Sequence, residues 1–302
     1  MIKDYELLVK EIVFFMQKQA SEAGTKRAEV DISGGVDSAV VAALACKAFG
    51  PENVIGVYSD INSSDESRTL AHAVANKFGF KLVDLDLAEE FNSIVCKVHR
   101  EFDRLGISNK DRNFHATVEG GFRSCIRAPV GRFVNRLFGG GIRQGTGNRD
   151  EDDLLRFYQK GGDGEVDCNW IGGLFKGEVW ELAEYLEVPC DVIDAKPTPD
   201  LWGTGSVHND EDELEDITGV KLTYTRPGQP MGTIEWVIRE NDKHGIINGY
   251  NCERKADIKD VYTPEQWEII DAVRKMEKAT RHKAEPPPSI SRQYLVDVGA
   301  VE

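Results

Sequence analysis

Leu7, Leu8, Ile12, Val13, Phe15 and Met16 recur at helical spacing and predict an amphipathic helix over 5–19. The pattern then changes. Short apolar runs at 28–32, 54–58 and 81–85 alternate with helix-forming stretches at 37–49 and 65–78. Such intervals suit parallel strands joined by right-handed helical crossovers, so the expected fold is α/β, a doubly wound parallel sheet flanked by helices. A further helix is expected to end at Gly139-Gly140-Gly141, before a short strand at 142–145, and another covers 176–186 ahead of Pro189. The sheet is thus expected to continue to about residue 172. Residues 203–230, rich in Gly, Asp, Glu and Pro with an acidic run at 210–216, read as an exposed loop. Helices return at 233–241 and 264–278, and Pro286-Pro287-Pro288 predicts an extended tail. No repeat or linker divides the chain, so one domain is expected over 1–302, with its core at about 25–205 and a loop-and-helix part at 206–302.

Composition narrows the class. The 302 residues are 40% hydrophobic and 29% charged, ordinary for a globular protein that buries a full core. No run of 18 apolar residues occurs, and Asp4, Glu6, Lys10 and Glu11 interrupt any signal-peptide pattern, so a cytoplasmic location is expected. The six cysteines form no C-x-x-C pair and predict reduced, mostly structural thiols. A formal charge of −15 opposes general binding to nucleic acid or anionic membrane. Any anionic substrate then needs a locally basic site. Between Gly120 and Arg143 stand Arg123, Arg127, Arg132, Arg136 and Arg143 with no acidic residue, either a solvated helix face or such a site.

The sharpest motif is Ser33-Gly34-Gly35-Val36-Asp37-Ser38, set between the first strand and the helix after it. Adjacent glycines let backbone N–H groups approach phosphate oxygens, and the helix start adds its own donors and dipole. Ser33 and Ser38 bring hydroxyls, and Asp37 brings a hard oxygen for Mg²⁺. No Gly-Lys-Ser/Thr follows, which excludes the Walker A loop, and G-x-G-x-x-G is absent.

This loop resembles the SGGxDS loop of the ATP pyrophosphatases, which cleave ATP between its α and β phosphates. Further motifs follow in order: Gly145-Thr146-Gly147-Asn148-Arg149 with Glu151, then Lys160-Gly161-Gly162-Asp163-Gly164-Glu165-Val166-Asp167, Lys176, Pro197-Thr198-Pro199-Asp200-Leu201-Trp202, the acidic run at 210–214, and His282-Lys283. Together they resemble the ammonia-dependent NAD synthetases, over roughly 5–205 and again at the carboxyl end. The resemblance implies an adenine nucleotide alpha hydrolase-like fold. It implies that Ser33, Gly34, Gly35, Val36, Asp37 and Ser38, with Thr146, Lys176 and Thr198, bind ATP as co-substrate, and that Asp37 and Glu151 hold Mg²⁺. Arg123, Arg127, Lys160, Asp167, His282 and Lys283 would contact deamido-NAD, with Asp37 and Lys176 as the catalytic pair. The implied partners are ATP, deamido-NAD, ammonia and a second copy in a homodimer.

One stretch departs from the family pattern Gln-Ala-Arg-x-Arg: here it reads Arg123-Ser124-Cys125-Ile126-Arg127, with Cys125 at the first arginine position. A thiol cannot replace a guanidinium fork, so that contact is lost unless Arg123 reaches the same place. The implied activity is adenylylation of the nicotinate carboxylate of deamido-NAD, followed by displacement of AMP by ammonia. Ammonia as direct nitrogen source is expected because only about thirty residues precede the loop, too few for a glutamine amidohydrolase domain. The rivals are another ATP pyrophosphatase, of the GMP synthetase or tRNA-modifying kind, and a nucleotide-binding regulator without turnover.

Overall fold

The computed structural model describes residues 2–107, 112–195, 214–215, 218–221, 233–247, 260–286 and 288–301. A parallel sheet of four strands in the order β3-β2-β1-β4 forms its centre: β1 Ala28–Asp31, β2 Val54–Asp60, β3 Lys81–Asp86 and β4 Ile142–Gln144. Pairing is in register from Ala28 opposite Val54 and from Ala28 opposite Ile142. The strand order reverses direction at β1. Ligands of open α/β sheets bind beyond the carboxyl ends of strands at such a point, and the glycine loop follows β1 directly.

Helices α1 Tyr5–Glu22 and α2 Val36–Phe49 come next to the sheet, followed by α3 Asp65–Phe78 between β2 and β3. Helix α1 begins at Asp4, whose carboxylate accepts from the Leu7 N–H, and it turns Ile12, Met16 and Ala20 inward. Helix α2 is apolar on every side, and ten of its fourteen residues are buried, which marks a helix enclosed by neighbours rather than one at the surface. Its small residues, Ala39, Ala42, Ala43 and Ala45, allow that close approach. The first core joins them to Val30, Ile32, Val74, Val179, Trp180 and Leu182.

Helix α4 Ala88–Arg104, not expected from the periodicity, and α5 Arg112–Leu137, the helix expected to end at the three glycines, connect β3 to β4. Short α6 Arg149–Asp152 follows β4, then α7 Lys176–Tyr185 and α8 Cys190–Asp194. The fourth strand ends the sheet among the described residues; a single parallel bridge between Gln144 and Cys168 is the only sheet-like pairing near residue 172. Residue 145, just after the strand, has to be glycine, because a side chain there would meet Val166 and the Cys168 carbonyl.

The carboxyl-terminal part is helical: α9 Thr233–His244, α10 Pro264–Ala284 and α11 Arg292–Asp297. Helix α10 opens with a capping box between Thr263 and Gln266, and it runs six residues past the expected 278. A second core gathers Leu154, Leu155, Phe175, Ile234, Val237, Ile238, Ile270 and Val273. Leu214, inside the stretch read as an exposed loop, is fully buried in this core, because its apolar side chain has a cluster to join. Residues 196–213, 216–217 and 222–232 lie outside the described residues.

Candidate active site

The loop after β1 is closed by its own serines. Ser38 Oγ accepts from the Ser33 N–H at 3.3 Å and donates to the Gly35 carbonyl at 3.0 Å, and the Gly35 N–H donates to Ser33 Oγ at 3.2 Å. Gly34 takes a φ of +87°, and a Cβ there would also run into the Ser67 carbonyl, so both conformation and space require glycine. No side chain caps α2 at Gly35. The helix start therefore faces the loop with main-chain donors, which suits an anion.

Asp37, on the first turn of α2, faces α6 and α7. Lys176 Nζ donates to Asp37 Oδ2 at 2.5 Å and to Glu151 Oε1 at 3.1 Å. Asn148 Nδ2 donates to Asp37 Oδ1 at 3.0 Å and to Glu151 Oε1 at 2.6 Å. Two carboxylates thus meet at one ammonium and one amide. Lys176 starts α7, where Phe175 precedes it and packs beneath the Arg149 and Arg239 guanidiniums. Asn148 is fully buried and does two tasks: its Oδ1 accepts from the Asp150 and Glu151 N–H groups as the cap of α6, while its Nδ2 holds the acidic pair. Its role was not assigned from sequence, although an asparagine followed by Glu three residues later, in a first turn rich in acidic residues, is a cap signature.

Hard carboxylate oxygens from two elements converging on one point fit a magnesium ion, and two protein ligands leave room for phosphate oxygens and water. Nearby Asp152 is raised to about 7, by burial first and then by Glu151 and Asp163. Its partner Asn169 Nδ2 also donates to the Gly147 carbonyl and so fixes the turn that carries Thr146. Thr146 is half-buried in that turn, and Thr198 lies outside the described residues.

Of the residues expected at the second substrate, Lys160, Asp167, His282 and Lys283 lie in or against segment 158–167, and Arg123 and Arg127 stand on α5. The Asp163 N–H donates to Ser124 Oγ at 3.1 Å, which docks α5 on this segment. Arg127 Nη2 points to Ser63 Oγ at 3.5 Å. Arg123 is turned inward: it is 8% exposed and lies over the Phe91 ring at 5.4 Å. Cys125 is half-buried, with its thiol pushed up by burial first and then by Asp163. Lys160 Nζ donates to the His282 and Glu285 carbonyls at 3.2 and 2.8 Å, and Lys283 Nζ to the Arg156 and Tyr158 carbonyls at 2.8 and 2.9 Å. Lys160, His282 and Lys283 are therefore brought together across 122 residues of sequence, with both ammoniums engaged by main chain and His282 exposed. Asp167 is held by Arg143: its Oδ2 accepts from the Arg143 N–H at 2.8 Å, and its own N–H donates to the Arg143 carbonyl at 3.0 Å.

A parallel sheet, a glycine loop at its switch point and an acidic pair meeting a lysine define a nucleotide-binding α/β protein of the ATP pyrophosphatase type. The NAD synthase family model matches residues 8–225, and the chain belongs to the NAD synthase family. An NH(3)-dependent NAD(+) synthetase from Alkaliphilus oremlandii is 33% identical over 204 residues, covering 67% of this chain and 79% of the relative. Among solved structures, an NMN synthetase from Francisella tularensis superimposes with a TM-score of 0.71 at 18% identity, over 96% of this chain and all of that one. An NH3-dependent NAD synthetase from Campylobacter jejuni gives 0.68 at 18% identity, over 95% of this chain and all of that one. These two show a shared fold.

Proposed function

We propose that this protein is an ammonia-dependent NAD synthetase, a ligase that joins ATP, deamido-NAD and ammonia into NAD, AMP and pyrophosphate. The convergence of Asp37 and Glu151 on Lys176 beside the glycine loop carries the reading. Carboxylates do not react with ammonia at neutral pH without a leaving group. A nicotinate carboxylate oxygen attacks the α-phosphorus of ATP, and the bond to the β-phosphate oxygen breaks as pyrophosphate leaves. Ammonia then attacks the activated carbonyl carbon, the carbon–oxygen bond to AMP breaks, and the nitrogen loses a proton.

Ser33 to Ser38 cradle the phosphates with main-chain donors, and Thr146 and Thr198 complete the ATP side. Asp37 and Glu151 would hold Mg²⁺, which when bound neutralises polyphosphate charge. Lys176 leaves its carboxylate partners for the departing pyrophosphate, and it supplies positive charge where negative charge develops. On the other side Arg127, Lys160, Asp167, His282 and Lys283 orient deamido-NAD, with Arg123 held behind them over Phe91. Rate comes from alignment and charge. The chain works as one unit over 1–302, as a homodimer in the cytoplasm; among the described residues no helix is long and apolar enough to cross a membrane.

Purified protein with ATP, Mg²⁺ and deamido-NAD is expected to form AMP, pyrophosphate and NAD with ammonium and far more slowly with glutamine. Equal rates with both, or faster turnover of nicotinic acid mononucleotide than of deamido-NAD, would contradict it. Asp37→Ala and Glu151→Ala are each expected to abolish synthesis in a folded protein, as circular dichroism and product analysis would report.

A further inference from the structure

Three charged side chains lie below the loop, where a parallel sheet is ordinarily apolar. Arg143 on β4 is 2% exposed and Glu29 on β1 is fully buried. The strands are in register at this pair, so Arg143 stands directly beside Glu29. Its Nη1 donates to Glu29 Oε2 at 3.2 Å, and its Nη2 donates to Asp31 Oδ2. Burial, and then the neighbouring Asp31 carboxylate, raise Glu29 well above the ordinary carboxylate range, while Arg143 pulls it down.

The same arginine touches both the strand that leads into the glycine loop and segment 158–167. Asp31 stands two residues before Ser33, and the Arg143 main chain holds Asp167 by two hydrogen bonds. Helix α5 can pass only because residue 131 is glycine: a Cβ there would run into the Arg143 guanidinium and approach Asp31 Oδ1 at 3.0 Å. One helical turn earlier on that face is Arg127. Arg127 also attracts the Asp31 carboxylate, less strongly than Arg143 does, while Asp163 repels it.

We infer that Arg143 is a positioning residue: by occupying Glu29 and Asp31 it keeps Asp31 from capturing Arg127, and so leaves Arg127 available to the anionic part of deamido-NAD. The physical reason is competition for one carboxylate. A guanidinium forks to two acceptors, and with Arg143 in place the pull of Arg127 on Asp31 stays secondary. Without Arg143, the Asp31 carboxylate would be left to Arg127, which already attracts it and stands one turn from the point where α5 meets Asp31.

This inference rests on the reading of Arg127 as a deamido-NAD contact, and steady-state kinetics of the full chain test it. Arg143→Met is expected to raise KM for deamido-NAD about tenfold, as for one lost charge-assisted contact, with KM for ATP changed less than about twofold. Adding Asp31→Asn should return KM for deamido-NAD to within about threefold of wild type, because the captor is then neutral. A purely structural role would move both KM values together and would give no selective recovery. Arg143→Lys keeps the charge without the fork, and it serves if Arg143→Met does not fold: a rise of a few-fold, reversed by Asp31→Asn, is expected. An unchanged KM for deamido-NAD in a folded variant, an equal rise for ATP, or no recovery with Asp31→Asn overturns the inference alone. A wild-type chain that forms no AMP with deamido-NAD overturns the functional reading and this inference with it.

Discussion

Replacing Lys176 by methionine isolates the part of the site that the ammonium holds together. Lys176 is 13% exposed, and Asp37 and Glu151 are 16% and 23% exposed, so the three charges are poorly screened. Two charge-assisted hydrogen bonds are lost, each typically about 1.5–3 kcal/mol. Asn148 keeps its hold on both carboxylates, and partial solvation reduces the penalty further, which leaves a net cost of roughly 2–4 kcal/mol. At roughly 2 °C per kcal/mol for a chain of this size, Tm in chelator falls by about 4–8 °C. Magnesium has the opposite sign of effect in the variant. With the ammonium gone the acidic pair is open to it, and at a hundred times its Kd the ion returns about 2.7 kcal/mol. In wild type the metal must displace Lys176, so the same addition raises Tm less. Differential scanning fluorimetry with and without Mg²⁺ measures the gap, and product assays should show kcat lowered at least about a hundredfold. A gap that Mg²⁺ does not narrow, or a kcat within tenfold of wild type, would refute the shared site.

Gly34→Ala places a Cβ against the Ser67 carbonyl at a φ of +87° and should abolish ATP turnover with a clear drop in Tm; retained activity would show that the loop tolerates the change. Arg123 packs over Phe91, so Arg123→Ala is expected to cost stability, about 1–2 kcal/mol in a denaturant titration, with little change in KM for deamido-NAD; a tenfold rise in that KM would assign it to the substrate instead. Cys125→Arg should lower that KM if the guanidinium position is otherwise empty of function, as substrate titration would report. Glu277 is nearly buried and is lowered below its ordinary value, first by its hydrogen bond to Arg281. The unfolded chain therefore binds more protons, so the contribution of Glu277 is fully present above about pH 4.3 and is lost as pH falls through the lower folded value. Glu277→Gln should remove that part of the acid sensitivity in melts taken across this window.

The sheet was readable because each of β1, β2 and β3 is a short apolar run at crossover spacing, and the glycine loop is unmistakable between Asp31 and Val36. The extent of α4 was present in the pattern too, with Phe91, Ile94, Val98 and Phe102 at helical intervals, but its acidic and basic residues dilute it and only Phe91 is buried. Asp37, Glu151 and Lys176 were named from motif order, and they meet although 139 residues separate Asp37 from Lys176. Arg123 was marked by the basic run and by the resemblance around Cys125; that its guanidinium lies over Phe91 depends on a partner 32 residues away, which the sequence does not foretell. Glu29, Asp31 and Arg143 carried a signal that strand-by-strand reading does not use, namely complementary charges on two strands that become neighbours only in the folded sheet.

Deamido-NAD carrying heavy oxygen in its carboxylate tests the chemistry most directly. With ATP, Mg²⁺ and ammonium, mass spectrometry of the products should find one labelled oxygen in the phosphate of AMP and none in pyrophosphate, because the carboxylate attacks the α-phosphorus and leaves that oxygen behind. Label in inorganic phosphate with formation of ADP, or AMP without label, would contradict activation of the carboxylate by adenylylation at this site.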